Sequence, residues 1–306
     1  MPHFLSLKDL RPDSFAALIE KGIAIAKGSL PKPVLTDRIV GLYFKGSSTR
    51  TRTSFAVAAL KLGASVIQYA QDDLQLVTGE TTADTGHVLS HYLDALVVRT
   101  TGGDEEIYGL ANQSKMAVVN AMSSSEHPTQ AIGDLITIRE IFGDLRGRHV
   151  LYMGEGNNTA AALCYAVALT PGMRLTLLTP DGYGLTATTL STALTLCSET
   201  GAIVEEHHST ERIPSAIDAV YTTRWETMGL PHHEPQWREK FLPFRVTSQV
   251  MESVSHERTV FMHDLPAVRG QEVEGMVLDG ARSVALRQAG HKLTSALVVL
   301  LACLTD

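Results

Sequence analysis

The chain has 306 residues, 44% hydrophobic and 19% charged, with 26 Lys and Arg against 33 Asp and Glu and a formal net charge of −7. That length is about twice the ~150-residue prior for one domain, so two domains with sizeable cores are expected. The acidic balance argues against nonspecific nucleic-acid binding and against adhesion to anionic membranes. Three isolated cysteines, Cys164, Cys197 and Cys303, argue against a disulfide framework or a cysteine zinc site. The start MPHFLSLKDL lacks a signal-peptide pattern, and apolar stretches are broken well before ~18 residues, so a cytoplasmic protein without a membrane span is expected.

In chain order, a first helix is expected at about Leu7–Lys27. Short β-branched runs at Ile39–Phe44, Ser65–Tyr69, Ala95–Val98 and Met116–Asn120 read as strands. Amphipathic segments lie at roughly Thr51–Leu62, Thr82–Leu93, Gly103–Asn112 and Thr129–Phe142. The rhythm resumes with strands at His149–Met153, Arg174–Leu178, Ile203–Glu206, Ala219–Thr222 and Thr259–Met262, then a last helix at about Arg282–Cys303. Such alternation predicts an α/β class: two domains, each a parallel β-sheet flanked by helices. The polar GDLRGR stretch, Gly143–Arg148, is the best border. It gives a first domain over 1–142 and a second over 143–281, with the helix 282–306 packing back on the first so that terminal helices bridge the two.

The run from Lys45 to Phe55, KGSSTRTRTSF, follows a strand and opens a helix. Gly46 allows a sharp turn, first-turn N–H groups are unpaired, and the helix dipole favours an anion there. Ser48, Thr49, Arg50, Thr51 and Arg52 add hydroxyl and guanidinium donors, so a phosphate group is the natural occupant. The bland alternative is a hydroxyl-rich helix cap with two solvated arginines, although arginines oppose the dipole at this end.

Glu126-His127-Pro128-Thr129-Gln130 opens another helix. Pro128 suits a first helical position, a neutral His127 can donate to a polarised carbonyl oxygen, and Gln130 offers a donor and an acceptor to an amide-like group. Arg99 closes a strand, where open α/β sheets bind ligands. Taken singly, the His-Pro pair is usually a turn and the arginine a surface residue. The run Gly154-Glu155-Gly156-Asn157-Asn158 follows a strand as a dinucleotide site would, but Thr159 stands where the third glycine belongs. His207-His208 and His232-His233 lack metal-ligand spacing.

Five motifs stand in the order found in carbamoyltransferases: Ser48-Thr49-Arg50-Thr51-Arg52 with Phe55, Gly79-Glu80-Thr81 through Asp84-Thr85, Arg99, His127-Pro128-Thr129-Gln130, and His263-Asp264-Leu265-Pro266. The chain resembles the aspartate and ornithine carbamoyltransferase family over essentially its whole length. The resemblance implies a transferase that needs no cofactor and no metal, using carbamoyl phosphate and a small amine. Ser48, Thr49, Arg50 and Thr51 would hold the phosphate. Thr51, Arg99 and His127 would point at the carbonyl oxygen, and Gln130 with the Leu265 carbonyl would hold the carbamoyl NH2. Lys292 replaces the arginine of a Q-A-x-N-R pattern and joins the carbamoyl phosphate set. Gln75 matches a glutamine lent by a neighbouring subunit in a Q-L-G-R-G-E pattern, here Gln75-Leu76-Val77-Thr78-Gly79-Glu80, which implies a homotrimer, or a multiple of trimers, with shared active sites.

The amine-binding shell departs from the family pattern. Asn158 matches the ornithine branch. Its D-x-W-x-S-M-G becomes Thr223-Arg224-Trp225-Glu226-Thr227-Met228-Gly229, which places Thr223, Arg224, Thr227 and Met228 at the amine. Arg224 after Thr223 is similar to the Thr-Arg of the aspartate branch. H-C-L-P becomes H-D-L-P, placing Asp264 where a thiol would face the attacking amine. The expected acceptor is therefore an amine of a small carboxylate-bearing molecule other than ornithine. The alternatives are ornithine carbamoyltransferase proper, a non-catalytic paralogue and, on the glycine motif alone, an NAD dehydrogenase.

Overall fold

The computed structural model describes residues 3–29, 32–211, 213–226 and 232–305. The chain forms two compact units, one made of Met1–Ile136 with His291–Asp306, the other of Thr137–Gly290. Both divisions fall inside helices, α5 (Pro128–Phe142) and α11 (Ala285–Leu304).

Unit 1 holds α1 (Pro12–Ala26), β1 (Ile39–Phe44), α2 (Thr49–Lys61), β2 (Ser65–Tyr69), α3 (Thr82–Leu89), β3 (Ala95–Arg99), α4 (Glu105–Leu110) and β4 (Ala117–Met122). Its sheet is parallel, in the order β2-β1-β3-β4. β3 and β4 are buried along their whole length, as their unbroken apolar runs require of strands covered on both faces. After β1 the chain lays β2 on one side and then returns to lay β3 on the other. The crevice between the carboxyl ends of β1 and β3 is thus the topological switch point where open α/β sheets take ligands. Phe4 bridges to Val119, extending the sheet past β4.

One expected element is divided. Leu7–Asp9 makes a single 3₁₀ turn capped by the Ser6 hydroxyl, and α1 starts only at Pro12. Proline lacks an N–H and its ring crowds a preceding turn, so it suits the first position of a new helix and not the interior of a longer one.

Unit 2 holds β5 (His149–Met153), α6 (Asn158–Ala168), β6 (Arg174–Leu178), α7 (Ala187–Thr200), β7 (Ile203–His207), β8 (Ile217–Thr222), α8 (Trp237–Phe241), α9 (Ser248–Val254), β9 (Ser255–His263) and α10 (Gly275–Leu278). This sheet is also parallel, ordered β7-β6-β5-β8-β9, with its switch point between β5 and β8. α6 is buried all round, which its Ala-rich sequence NTAAALCYAVA permits. All nine expected strands form. β8 and β9 begin earlier than expected, because Asp218 interrupts the apolar run of β8 and Ser255–Arg258 are all polar.

Candidate active site

In unit 1 the sequence-flagged residues lie at or after the carboxyl ends of the strands, except Lys292, which lies on α11. Phe44 is the register partner of Arg99, and Lys45 N donates to Arg99 O at 2.9 Å, so the turn after β1 lies against the end of β3. Gly46 takes φ 75°, a left-handed conformation that favours glycine. Ser48 is the N-cap of α2 yet makes no side-chain capping bond. Its hydroxyl is not spent on the cap. The two arginines divide. Arg52 turns back, its guanidinium 5.3 Å from the Phe44 ring centroid and 3.4 Å from Phe44 O. Arg50 is half-buried and close enough to act electrostatically on His127. Thr51 is buried.

Arg99, His127, Gln130 and Lys292 are all buried in this unit. Lys292 Nζ donates to Gln130 Oε1, and Gln130 Nε2 donates to Asp134 Oδ1 at 2.7 Å. Asp134 carries one signal in the sequence, its four-residue spacing from Gln130 on one helix. Both ends of the Gln130 amide are engaged, although Oε1 keeps a second lone pair for an N–H donor. Burial holds the His127 imidazole well below its usual pKa, and the cations of Lys292, Arg99 and Arg50 push it the same way. The ring is therefore neutral at neutral pH. Its Nδ1 is buried with no hydrogen-bond partner among the described residues, an orphan that suits a ligand oxygen or N–H.

Gln75 is exposed in a 3₁₀ turn, Gln75–Thr78, and its side-chain oxygen accepts from Thr78 at 3.1 Å. Its side-chain partner in this chain is thus a residue of its own turn.

In unit 2 the flagged residues again follow strand ends. Thr222 and His263 are register partners on β8 and β9, so Thr223 and Asp264 emerge side by side. Thr223 Oγ1 donates to Asp264 Oδ1 at 2.8 Å, and Thr159 Oγ1 donates to Asp264 Oδ2 at 3.0 Å. Asn158 is buried in the first turn of α6, and Asn157 caps that helix by accepting from Thr159 and Ala160. Arg224 is half-buried. His263 Nδ1 accepts from Leu265 N at 2.8 Å, so its other nitrogen carries the hydrogen and meets Glu272 Oε1 at 3.2 Å. Thr227 and Met228 lie outside the described residues. The glycine motif has a local explanation: a Cβ on Gly156 would stand 2.3 Å from Gly184 C and Leu185 N. The close backbone approach that demands glycine is met by the chain's own 184–185 segment.

Residues 2–140 match the family model for the carbamoyl-P binding domain of aspartate/ornithine carbamoyltransferase, and residues 146–303 match its Asp/Orn binding domain. The chain belongs to the aspartate/ornithine carbamoyltransferase family. As a carbamoyltransferase it is an enzyme of the transferase class. Relatives named ornithine carbamoyltransferase include one from Halalkalibacterium halodurans, 35% identical over 303 residues, with 98% of this chain and 94% of that protein covered. Another, from Bacillus cereus strain 03BB102, is 35% identical over 291 residues, covering 94% and 90%. Among solved structures, ornithine carbamoyltransferase from Pyrococcus furiosus superposes with a TM-score of 0.91 at 32% identity, covering 98% of this carbamoyltransferase and 96% of that chain. The one from Gloeobacter violaceus gives 0.87 at 31% identity, covering 100% and 99%. These relatives favour ornithine over the expectation that the altered shell sets ornithine aside.

Proposed function

We propose that this carbamoyltransferase moves the carbamoyl group of carbamoyl phosphate to the side-chain amine of L-ornithine and releases phosphate. The names of the relatives support ornithine, and one observation reconciles it with the sequence. The carboxylate missing at Thr223 is supplied by Asp264, within hydrogen-bond reach of the Thr223 hydroxyl. An acceptor ammonium can meet that carboxylate with a charge-assisted bond, while Arg224 offers a partner to the acceptor carboxylate and Asn158 a polar contact.

On this reading Ser48, Thr49, Arg50 and Thr51 hold the phosphate. The uncharged amine attacks the carbonyl carbon, a C–N bond forms, and negative charge builds on the carbonyl oxygen. Arg99, His127 and the Thr51 hydroxyl are donors to that oxygen, and donors fixed in advance in a buried site are where most of the rate is gained. A neutral imidazole suits this role because it gives one hydrogen bond without adding a proton that must be removed. Gln130, through the free lone pair of Oε1, and the Leu265 carbonyl accept from the carbamoyl NH2. Lys292 orients Gln130 and adds positive charge. The C–O bond to phosphate then breaks, Arg50 stabilises the departing dianion, and phosphate takes the amine proton. Holding both substrates supplies the rest, since no covalent intermediate is required.

The family's assembly with shared sites is part of the reading. Unit 1 exposes Leu60 on α2, Ile67 on the edge strand β2, Val77 in the Gln75 turn, Val88 on α3 and Tyr92 just after it. Exposed apolar side chains in these elements are compatible with burial against further copies of the chain, with Gln75 passing to a neighbour. The same apolar residues would otherwise remain wetted.

A second reading has its own observation. The carboxylate that meets the acceptor ammonium comes from the end of β9 instead of the end of β8, a change that suits a different diamino acid. A panel of L-ornithine, shorter and longer diamino acids and L-aspartate, each with carbamoyl phosphate, separates the two. The highest kcat/KM is expected with ornithine; a higher value for another amine selects the second reading.

A further inference from the structure

We propose that Glu126 is a positioning residue for His127, its carboxylate clamping the turn that presents the imidazole onto the N-terminal segment. The inference rests on the reading of His127 as a donor to the carbonyl oxygen.

Ser123 through Glu126 form a closed turn: Ser123 N donates to Glu126 O at 2.9 Å, and Glu126 N donates to Ser123 Oγ at 3.2 Å. His127 follows at once. The Glu126 side chain is buried and turns toward the start of the chain. Leu7 N donates to Oε1 at 2.9 Å, and the Ser6 hydroxyl donates to Oε2. That segment is fixed in turn on β4. Phe4 N donates to Val118 O and Asn120 N to Phe4 O, both at 2.8 Å, and Asn120 Nδ2 donates to Leu5 O at 2.9 Å. The turn, the segment and the sheet edge are therefore one hydrogen-bonded unit closed by a single carboxylate. His127 Nδ1 has no hydrogen-bond partner among the described residues. The ring's placement then depends on its packing and its backbone: on one side His127 O accepts from Gln130 N at 3.0 Å in the first turn of α5, and on the other the Glu126 carboxylate holds the turn.

A buried carboxylate is an expensive choice where an apolar side chain would pack, which argues for a task. Both of its partners donate, an arrangement that suits the ionised form. Burial nevertheless pushes the Glu126 pKa up to about 7; the bonds from Ser6 and Leu7 and the charge of Lys8 pull it down, and Asp104 pushes it up. Tyr108 also feels this charge, and the adjacent His127 is held neutral. The clamp thus gains its charge across neutral pH, where its two hydrogen bonds acquire a charged acceptor while the buried charge costs overall stability.

The test compares steady-state kinetics from pH 5.5 to 9 for wild type, Glu126→Gln, Glu126→Ala, Ser6→Ala and His127→Ala, with circular dichroism on each. Glutamine can accept from Leu7 and donate to Ser6, so Glu126→Gln is expected within about threefold of wild-type kcat at pH 8, without the inflection near pH 7. Glu126→Ala is expected to lose at least tenfold in kcat with KM for carbamoyl phosphate within about twofold. Ser6→Ala removes a bond that favours the charged form, so its inflection should move to higher pH. A Glu126→Gln profile that superimposes on wild type, or an unmoved inflection in Ser6→Ala, overturns the proposal even if Glu126→Ala does not fold. Retained activity in His127→Ala overturns the underlying reading of His127 instead.

Discussion

Thr223 and Asp264 share a hydrogen bond of 2.8 Å across the carboxyl ends of two neighbouring parallel strands. The strand register makes them neighbours, so a carboxylate can be moved from one strand end to the other while staying within reach of the same ligand group. In sequence the two positions are 41 residues apart and look like independent losses. Asp264→Asn keeps the shape and removes the charge. It is expected to lower kcat/KM for ornithine by roughly 10- to 100-fold, the equivalent of about 1.5–3 kcal/mol for a charged contact. KM for carbamoyl phosphate should stay within twofold. The double change Thr223→Asp with Asp264→Cys should restore ornithine use; restoration of activity only toward another amine would contradict the pairing.

Arg50→Ala should remove most activity and leave the fold intact, since Arg50 is half-buried at a helix mouth and fills no core. Losing a charge-assisted contact to a leaving dianion is expected to cost on the order of 2–4 kcal/mol, or about 30- to 1,000-fold in turnover. Turnover within threefold of wild type at unchanged apparent affinity would remove Arg50 from the phosphate site.

The parts legible in the sequence are those carried by local pattern. The nine strands show as short apolar runs, and the phosphate loop shows because Ser48, Thr49, Arg50 and Thr51 are consecutive. Contacts across long separations were not legible. Glu126 reads as part of a helix-opening motif, while its role depends on Ser6 and Leu7, which only the sheet edge brings near. Asp134 reads as one more polar residue of α5. The break at Leu10–Arg11 is signalled by Pro12, but the apolar spacing of Leu10, Phe15 and Ile19 suits one continuous helix and hides it. Gly156 reads as half a dinucleotide motif because sequence cannot show that residues 184–185 press against it.

Two buried groups next to each other give opposite pH dependences. Glu126 is raised to about 7, so between its unfolded value near 4.5 and pH 7 the unfolded chain loses a proton that the folded chain keeps. Stability falls as pH rises through that window, by about 3 kcal/mol in full. His127 is lowered well below 6.5, so the unfolded chain takes up a proton first as pH falls. Stability is lost on acidification below 6.5. Melting temperatures of Glu126→Gln relative to wild type should therefore rise from pH 4.5 to 7, and those of His127→Asn should rise relative to wild type from pH 6.5 downward. Parallel curves in either comparison would contradict the assignment.

The shared-site reading is checked by mixing two inactive proteins, Arg50→Ala and Gln75→Ala. Hybrid assemblies that place a wild-type Arg50 beside a neighbour's wild-type Gln75 should regain measurable turnover after subunit exchange. Hybrids shown to form but with no activity above the parents would mean that Gln75 is not lent to a neighbour.

The most direct measurement follows both products of one reaction, inorganic phosphate and carbamoylated amine, from carbamoyl phosphate and L-ornithine. Equal amounts of phosphate and citrulline are expected over many turnovers, with no phosphate release above background when the amine is left out. Phosphate released without the amine, or no carbamoylated product with ornithine at saturating carbamoyl phosphate, would contradict it.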